Sequence, residues 1–206
     1  MAHNPIHDQI ENGHAAIEAG HVVAYPTETF YALGADPHQP EALERLLRLK
    51  GREGVSKPLL LLVAALDDLP NWVSELPSSF DKLVAHFWPG PMTMVLPAQP
   101  ELPNTLIGKS GGVAVRLTSN PTAIRLIRAC GTALTGTSAN RTGENPCTHA
   151  DAVRSAFGDQ LKTVIDGGRT AGGKPSTVLD LTGDHPRILR SGAIRANAIT
   201  RVLRLV

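Results

Sequence analysis

The chain has 206 residues, room for one large domain or two small ones and for a real core, because a domain of this size buries roughly 70% of its unfolded surface. With 20 Lys+Arg against 19 Asp+Glu the net charge is +1, and aromatic residues make up only 4%. That balance gives no argument from global charge for nucleic-acid binding and supplies an aromatic platform for stacking single-stranded bases only poorly, although a local basic groove remains compatible with it.

In chain order, the first residues, Met1-Ala-His-Asn-Pro5, lack a basic and then apolar leader pattern, so no signal peptide is expected and the protein reads as cytoplasmic. His3 and His7 have helical spacing but stand beside Pro5 in a terminus expected to fray, and no metal role is assigned to them. A strand is predicted over His21–Tyr25, followed by the extended segment Tyr25-Pro-Thr-Glu-Thr-Phe-Tyr-Ala-Leu-Gly34. Pro40 opens a helix carrying Leu43, Leu46 and Leu47, with Gly51 just past its end.

Strands follow over Leu59–Val63, Met92–Leu96 and Val113–Leu117, and the longest apolar run, Leu59–Leu66, is far too short to span a membrane. Ser119 or Asn120 caps a helix that starts with Pro121 and stops at Gly131. Ala133–Gly136 is a short strand, Asn140-Arg-Thr-Gly143 has turn chemistry, and Thr148 caps a helix with Asp151 three residues on. Short strands over Val164–Ile165, Thr177–Leu181 and Ile188–Leu189, and a last helix over about Ala196–Leu203, complete the set.

Strands apolar throughout, interleaved with helices, imply an α/β layered domain around a largely central sheet, with no linker to divide it. Cys130 and Cys147 form neither a CxxC pair nor a metal quartet and read as plain thiols. Gly108-Lys-Ser110 looks like the tail of a P-loop, but Pro103 stands where its first glycine belongs.

Chemistry is concentrated where strands end in small polar residues. Lys50 and Arg52, two apart, would point to one side of an extended or looped segment and suit a polyphosphate, although a solvated basic helix end explains the spacing as well or better. Ser138 and Asn140 are again two apart and offer a hydroxyl and an amide, but on spacing alone they read first as a turn. Arg116 ends a strand that is otherwise Val113-Ala-Val115 and needs a partner, either a substrate carboxylate or a structural acid. Thr27, Thr29 and Tyr31 alternate, so their hydroxyls could line one wall. Ser176 opens a strand after the Gly-rich loop 167–174, and Arg190-Ser-Gly192 supplies one more cation.

Each motif is weak alone, but their order is distinctive: Tyr25-Pro-Thr-Glu-Thr29 to Gly34, Lys50-x-Arg52 with Lys57-Pro-Leu59, Phe87-Trp-Pro-Gly-Pro-Met-Thr93, Val113-Ala-Val-Arg116, Thr137-Ser-Ala-Asn140-Arg-x-Gly143, Asp166-Gly-Gly168, Ser176-Thr-Val178 and Ile188-Leu-Arg-Ser-Gly192. Together they resemble the YrdC/TsaC family of threonylcarbamoyl-adenylate synthases over roughly residues 10–195. The resemblance implies a single-domain twisted α/β fold over residues 7–206, a mixed sheet flanked by helices. Its concave, positively charged face would be similar to that of some double-stranded RNA-binding folds, and the extra C-terminal domain of the long-form relatives is not expected.

It also implies a reaction: L-threonine, bicarbonate and ATP, with Mg2+ accompanying the ATP and no tightly bound organic cofactor, give L-threonylcarbamoyl-adenylate and pyrophosphate. The product would serve N6-threonylcarbamoylation of tRNA adenosine 37 through downstream transfer proteins. Carried over by position, Thr29, Arg116 and Ser176 fall on the threonine side, with Thr27 and Tyr31 lining the pocket; Lys50, Arg52, Ser138, Asn140 and Arg190 fall on the ATP side, Lys50 and Arg52 being the catalytic cations.

Departures from the family pattern lie at Phe30 and Ala32, in the strand through Leu62, which lacks a His that many relatives carry, at Glu53-Gly-Val-Ser56, and at Asn120, where His is common. They bear on substrate choice more than on fold. Two other readings use the same fold: an RNA-binding module for ribosome assembly, which needs the cations but not the hydroxyls, and a carbamoyl-adenylate-handling paralogue of the kind found in hydrogenase maturation.

Overall fold

The structure is a computed structural model that describes residues 5–51, 58–161 and 163–204. Its mixed α/β architecture, with helices flanking mixed sheets, is the class expected from the alternation of apolar strands and amphipathic helices. The strands divide between two sheets rather than gathering in one central sheet, because strand pairing is long-range and is not written in local periodicity.

The smaller sheet has the order β7-β2-β1-β8, with β1 Val23–Pro26, β2 Tyr31–Gly34, β7 Thr137–Ser138 and β8 Thr163–Val164. The larger has the order β10-β9-β4-β5-β3-β6, with β3 Leu60–Val63, β4 Met92–Pro97, β5 Gly112–Leu117, β6 Leu134–Thr135, β9 Thr177–Asp180 and β10 Arg187–Arg190. Three contacts are parallel, β1 with β8, β3 with β5 and β4 with β9; the others are antiparallel.

The chain passes from one sheet to the other at Gly136, between β6 and β7. A side chain there would meet Leu62 Cγ at 2.7 Å, so only glycine permits this close crossing. Tyr25 Oη donates to Thr135 O (2.6 Å), and Ala35 N donates to Thr135 Oγ1 (2.9 Å), tying the two sheets at the crossing. Complete burial raises the pKa of the Tyr25 phenol, so this donor keeps its proton.

Two predicted features change. The segment Tyr25–Gly34 is a β-hairpin, not one extended strand: Pro26 pairs with Tyr31, and Thr27–Phe30 form the loop. It is held by its first threonine, whose Oγ1 donates to Phe30 O (2.7 Å) and accepts from Thr29 N (3.2 Å), a side-chain turn without the Gly or Asn that marks most hairpins. From Pro5 onward the segment expected to fray is a helix, α1 Pro5–Glu18, with Pro5 at its start, where a missing N–H costs nothing, while His3 lies outside the described residues. Its Ile10 and Ile17 pack on Ala123, Leu126 and Ile127 of α4 Pro121–Cys130. His7 pairs with Glu11 at 3.2 Å on the exposed face.

α2 Pro40–Leu49 and α4 start at prolines as expected, and Asn120 caps α4, its Oδ1 accepting from Thr122 N (3.0 Å) and Ala123 N (3.1 Å). That cap is a local structural reason for Asn at a position where a His was noted as common. α5 Ala150–Phe157 follows, although its N-cap residue is His149 rather than Thr148. α3 Phe80–Phe87, not foreseen, turns Phe80 and Leu83 inward, and α6 Ala196–Arg204 is the last helix among the described residues. The main core, between the larger sheet and its helices, is built on Leu61, Val63, Met92, Met94, Val113 and Val115, each contributing roughly 1.5–3 kcal/mol by burial.

Candidate active site

A cleft of about 420 Å³ opens where the β1–β2 hairpin faces the larger sheet, within the size range of small-molecule sites. Its floor follows from strand alternation and register: Leu60, Ala114 and Val95 stand in one row across β3, β5 and β4, and Thr93 pairs with Val178 on β9. The small Ala114 at the middle of that row leaves room above it. Thr27, Thr29, Tyr31, Arg116, Ser138, Ser176 and Arg190 all line this one hollow, although they come from stretches more than 160 residues apart in their extremes (27 to 190).

Two cations meet there. Arg116, on β5, is 3% exposed, and its Nε lies 3.3 Å from Glu28 Oε1. The pair is within Coulombic reach, yet neither atom forms a hydrogen bond, because the N–H is not aimed at the oxygen. The other carboxylate oxygen of Glu28 accepts from Thr118 Oγ1 at 2.6 Å. Of the two partners foreseen for Arg116, the structural acid is thus present, while its guanidinium still lines the cleft.

Arg190 donates from Nε and Nη2 to Ser176 O (3.1 and 2.9 Å) and from Nη2 to Ser176 Oγ (2.9 Å). Ser176 Oγ also contacts Thr93 Oγ1 at 2.8 Å. Ser176 and Arg190, expected on opposite sides of the ligand, are therefore one unit. Partial burial of its guanidinium, and then the charge of Arg116, lower the pKa of Arg190.

The hairpin loop forms the opposite wall. Thr27 Oγ1 and Thr29 Oγ1 are 3.1 Å apart, and Thr29 O accepts from Gly172 N at 2.7 Å, which pins the Gly-rich loop to the hairpin. Tyr31 turns its hydroxyl away from its neighbours to donate to Gly168 O (2.8 Å); burial, with Asp166 3.4 Å away, pushes its pKa up to about 12.

Lys50 and Asn140 take a different place from the one their spacing suggested. Lys50 ends α2 in helical conformation, fully buried, and its ammonium donates to Ser138 O, Asn140 O and Asn140 Oδ1. Asn140 Nδ2 donates to Arg141 O and Glu144 O (both 2.8 Å), and Ser138 Oγ donates to Asn140 Oδ1 (2.6 Å). The amide is thus engaged within its own loop, and Ser138 meets the cleft from a strand end that Lys50 holds from behind. Arg52, with Lys57 and Glu53–Ser56, lies outside the described residues.

Replacing Lys50 with Met should leave those acceptors without their donor. We expect a loss of about 1–3 kcal/mol in denaturant unfolding, together with weaker nucleotide binding as the Ser138 end loosens. Unchanged stability would contradict this role.

Ala32 lines the cleft in a regular strand, paired with Tyr25 and Ser138, with no positive φ to call for glycine. Leu62 points into the second core cluster, with Val23 and Leu134, so Leu60 is the cleft-facing residue of that strand. Glu28 and Thr93 were not singled out from the sequence, although both fall inside quoted motifs; the usable signal for Thr93 was its alternation with Val95. Among the described residues no group of three or more His, Cys, Asp or Glu is placed to hold a metal ion.

Residues 15–192 match the Sua5/YciO/YrdC family model, described as telomere recombination. The chain is 39% identical over 187 residues to the threonylcarbamoyl-AMP synthase of Klebsiella pneumoniae subsp. pneumoniae, covering 89% of this chain and 97% of that protein. It is 42% identical over 179 residues to the enzyme of the same name from Thiobacillus denitrificans, covering 86% and 93%. The crystal structure of P. abyssi Sua5 complexed with L-threonine superposes with a TM-score of 0.89 at 35% identity, covering 95% of this chain and 57% of that one. The chain thus spans little more than half of P. abyssi Sua5 but nearly the full length of the two bacterial relatives. On the ordered motifs, the two-sheet fold and these matches, the chain belongs to the Sua5/YciO/YrdC family.

Proposed function

We propose that this chain is a threonylcarbamoyl-AMP synthase, condensing L-threonine, bicarbonate and ATP to L-threonylcarbamoyl-adenylate with release of pyrophosphate. The observation that carries the reading is the convergence of Arg116 and Arg190 in a hollow walled by threonine and serine hydroxyls, within a chain so close in length and sequence to enzymes of that name.

Bicarbonate takes up a proton and loses water to give CO₂, and the neutral threonine amine adds to that CO₂ and gives up a proton, forming a carbamate, so that one water is released overall. A carbamate oxygen then forms a bond to the α-phosphorus of ATP, the bond from that phosphorus to the bridging oxygen breaks, and pyrophosphate leaves with the electron pair. No step needs a protein nucleophile. Neither cysteine lines the cleft, and burial pushes the Cys130 thiol up to about 12. The Thr27 and Ser138 hydroxyl protons are already given to Phe30 O and Asn140 Oδ1, which makes these groups fixed acceptors and walls rather than attacking groups.

What the residues supply is placement and charge. Arg116 holds the threonine carboxylate, Arg190 faces the triphosphate, and holding the carbamate in line with the α-phosphorus is worth as much as roughly 7–11 kcal/mol of the barrier. Mg2+ would be carried by the triphosphate and would offset part of its negative charge; the described cleft lining offers hydroxyls and guanidinium groups and no carboxylate.

The product is a mixed anhydride, so a downstream transferase must carry it to tRNA adenosine 37; that modification is the biological role we assign, in the cytoplasm where tRNA and ATP meet. Among the described residues no helix is long and apolar enough to cross a membrane.

The test is pyrophosphate release by the purified chain with ATP, magnesium and bicarbonate. Release that requires both threonine and bicarbonate is the expected result. No release, with retained salt-sensitive RNA binding, would replace the reading with the RNA-binding module.

A further inference from the structure

We infer that Glu28 is a positioning residue for the substrate carboxylate: from behind the cleft wall it sets the Arg116 guanidinium, through which alone it acts. This rests on the proposed reading of the cleft.

Glu28 does not line the hollow, and its side chain is 11% exposed. Among the described residues it is the one carboxylate within ion-pair reach of Arg116. Thr118 Oγ1, at 2.6 Å, fixes one of its oxygens and turns the other toward Arg116 Nε. An arginine side chain has many rotamers to lose on binding, so a fixed charge beside Nε removes part of that cost before the ligand arrives.

The arrangement is also incomplete without a ligand. Arg116 Nε and Glu28 Oε1 are both buried without a hydrogen bond, and the guanidinium makes none to the other described residues. Arg190 presses on it with like charge from within the same cleft. Glu28 is paired with Arg116, whereas Arg190 is engaged with Ser176.

The test compares wild type, Glu28→Gln and Thr118→Val. Gln keeps the size and an acceptor for Thr118 but removes the charge; Val removes the hydroxyl that aims the carboxylate and keeps the charge. The readouts are calorimetric titrations of L-threonine and, separately, ATP, on samples whose folded fraction is checked by circular dichroism. The expected result for Glu28→Gln is a threonine Kd raised about tenfold or more, with the ATP Kd within twofold; Thr118→Val should shift threonine alone by a smaller factor. A threonine Kd unchanged in folded Glu28→Gln, or equal weakening of threonine and ATP, would overturn the inference. Failure of the wild type to bind threonine would overturn the reading of the cleft and this inference with it. In the first two outcomes the wild type still binds threonine, so the two failures are distinguishable.

Discussion

Arg190→Ala should lower kcat/KM for ATP by about 10²–10³-fold, the scale found when one fixed donor to developing charge is removed. Arg190 lines the cleft while two of its nitrogens are committed to Ser176, so its guanidinium is held in place on the side that the proposed reading gives to the triphosphate. Desolvation first, and then Arg116, lower its pKa, but an arginine stays charged throughout the working pH range.

The fold should survive, because Arg190 stands on the exposed edge strand β10 and its loss leaves only Ser176 O and Oγ short of a donor, a cost of about 1–3 kcal/mol. Arg187→Ala is the internal control. It lies on the same strand, pairs with Asp180 at 3.2 Å and does not line the cleft, so turnover should stay within about twofold of wild type. Equal losses in both variants would mean that β10 matters as a strand and Arg190 has no special role.

Much of this architecture was legible in the sequence, for identifiable reasons. β4 and β5 are buried along nearly their whole length, so Met92–Leu96 and Val113–Leu117 read as unbroken apolar runs. Pro121 and Gly131 bracket α4 with the punctuation that helix ends demand. The hairpin loop was hidden because Thr27-Glu-Thr-Phe30 contains no Gly or Asn; its turn is made by a hydroxyl whose partners are visible only in three dimensions. β7 is two residues long, too short to carry a period, and yet it completes the smaller sheet beside β2.

The candidate site divides in the same way. That Arg116, Ser138, Ser176 and Arg190 would share a hollow was readable from strand ends, which collect on one side of a layered sheet. That Lys50 would be buried against Ser138 and Asn140 was not readable, because a lysine at a helix end looks the same whether it is solvated or enclosed by carbonyls. The Glu28–Arg116 pair joins a loop of the smaller sheet to a strand of the larger, and no local pattern announces a contact across two sheets.

Arg116→Ala should cost both stability and activity, and the two losses should be separable. Removing the guanidinium leaves the Glu28 carboxylate buried with Thr118 as its hydrogen-bond donor but no counter-charge, a situation that typically costs about 3–5 kcal/mol. In the double variant Glu28→Gln with Arg116→Ala the stranded charge is gone, so most of that stability should return in denaturant unfolding. Threonine-dependent pyrophosphate release should remain absent in both, because the carboxylate of the amino acid has lost its partner in either background. Arg116→Lys probes the remaining variable: it keeps a positive charge near Glu28 but loses the planar fork, and should fold close to wild type while threonine binding weakens by more than tenfold. Activity regained in the double variant would show that Arg116 serves only to neutralise Glu28. A single variant as stable as wild type would show that the pair, 3.3 Å apart and without a formed hydrogen bond, is not coupled at all.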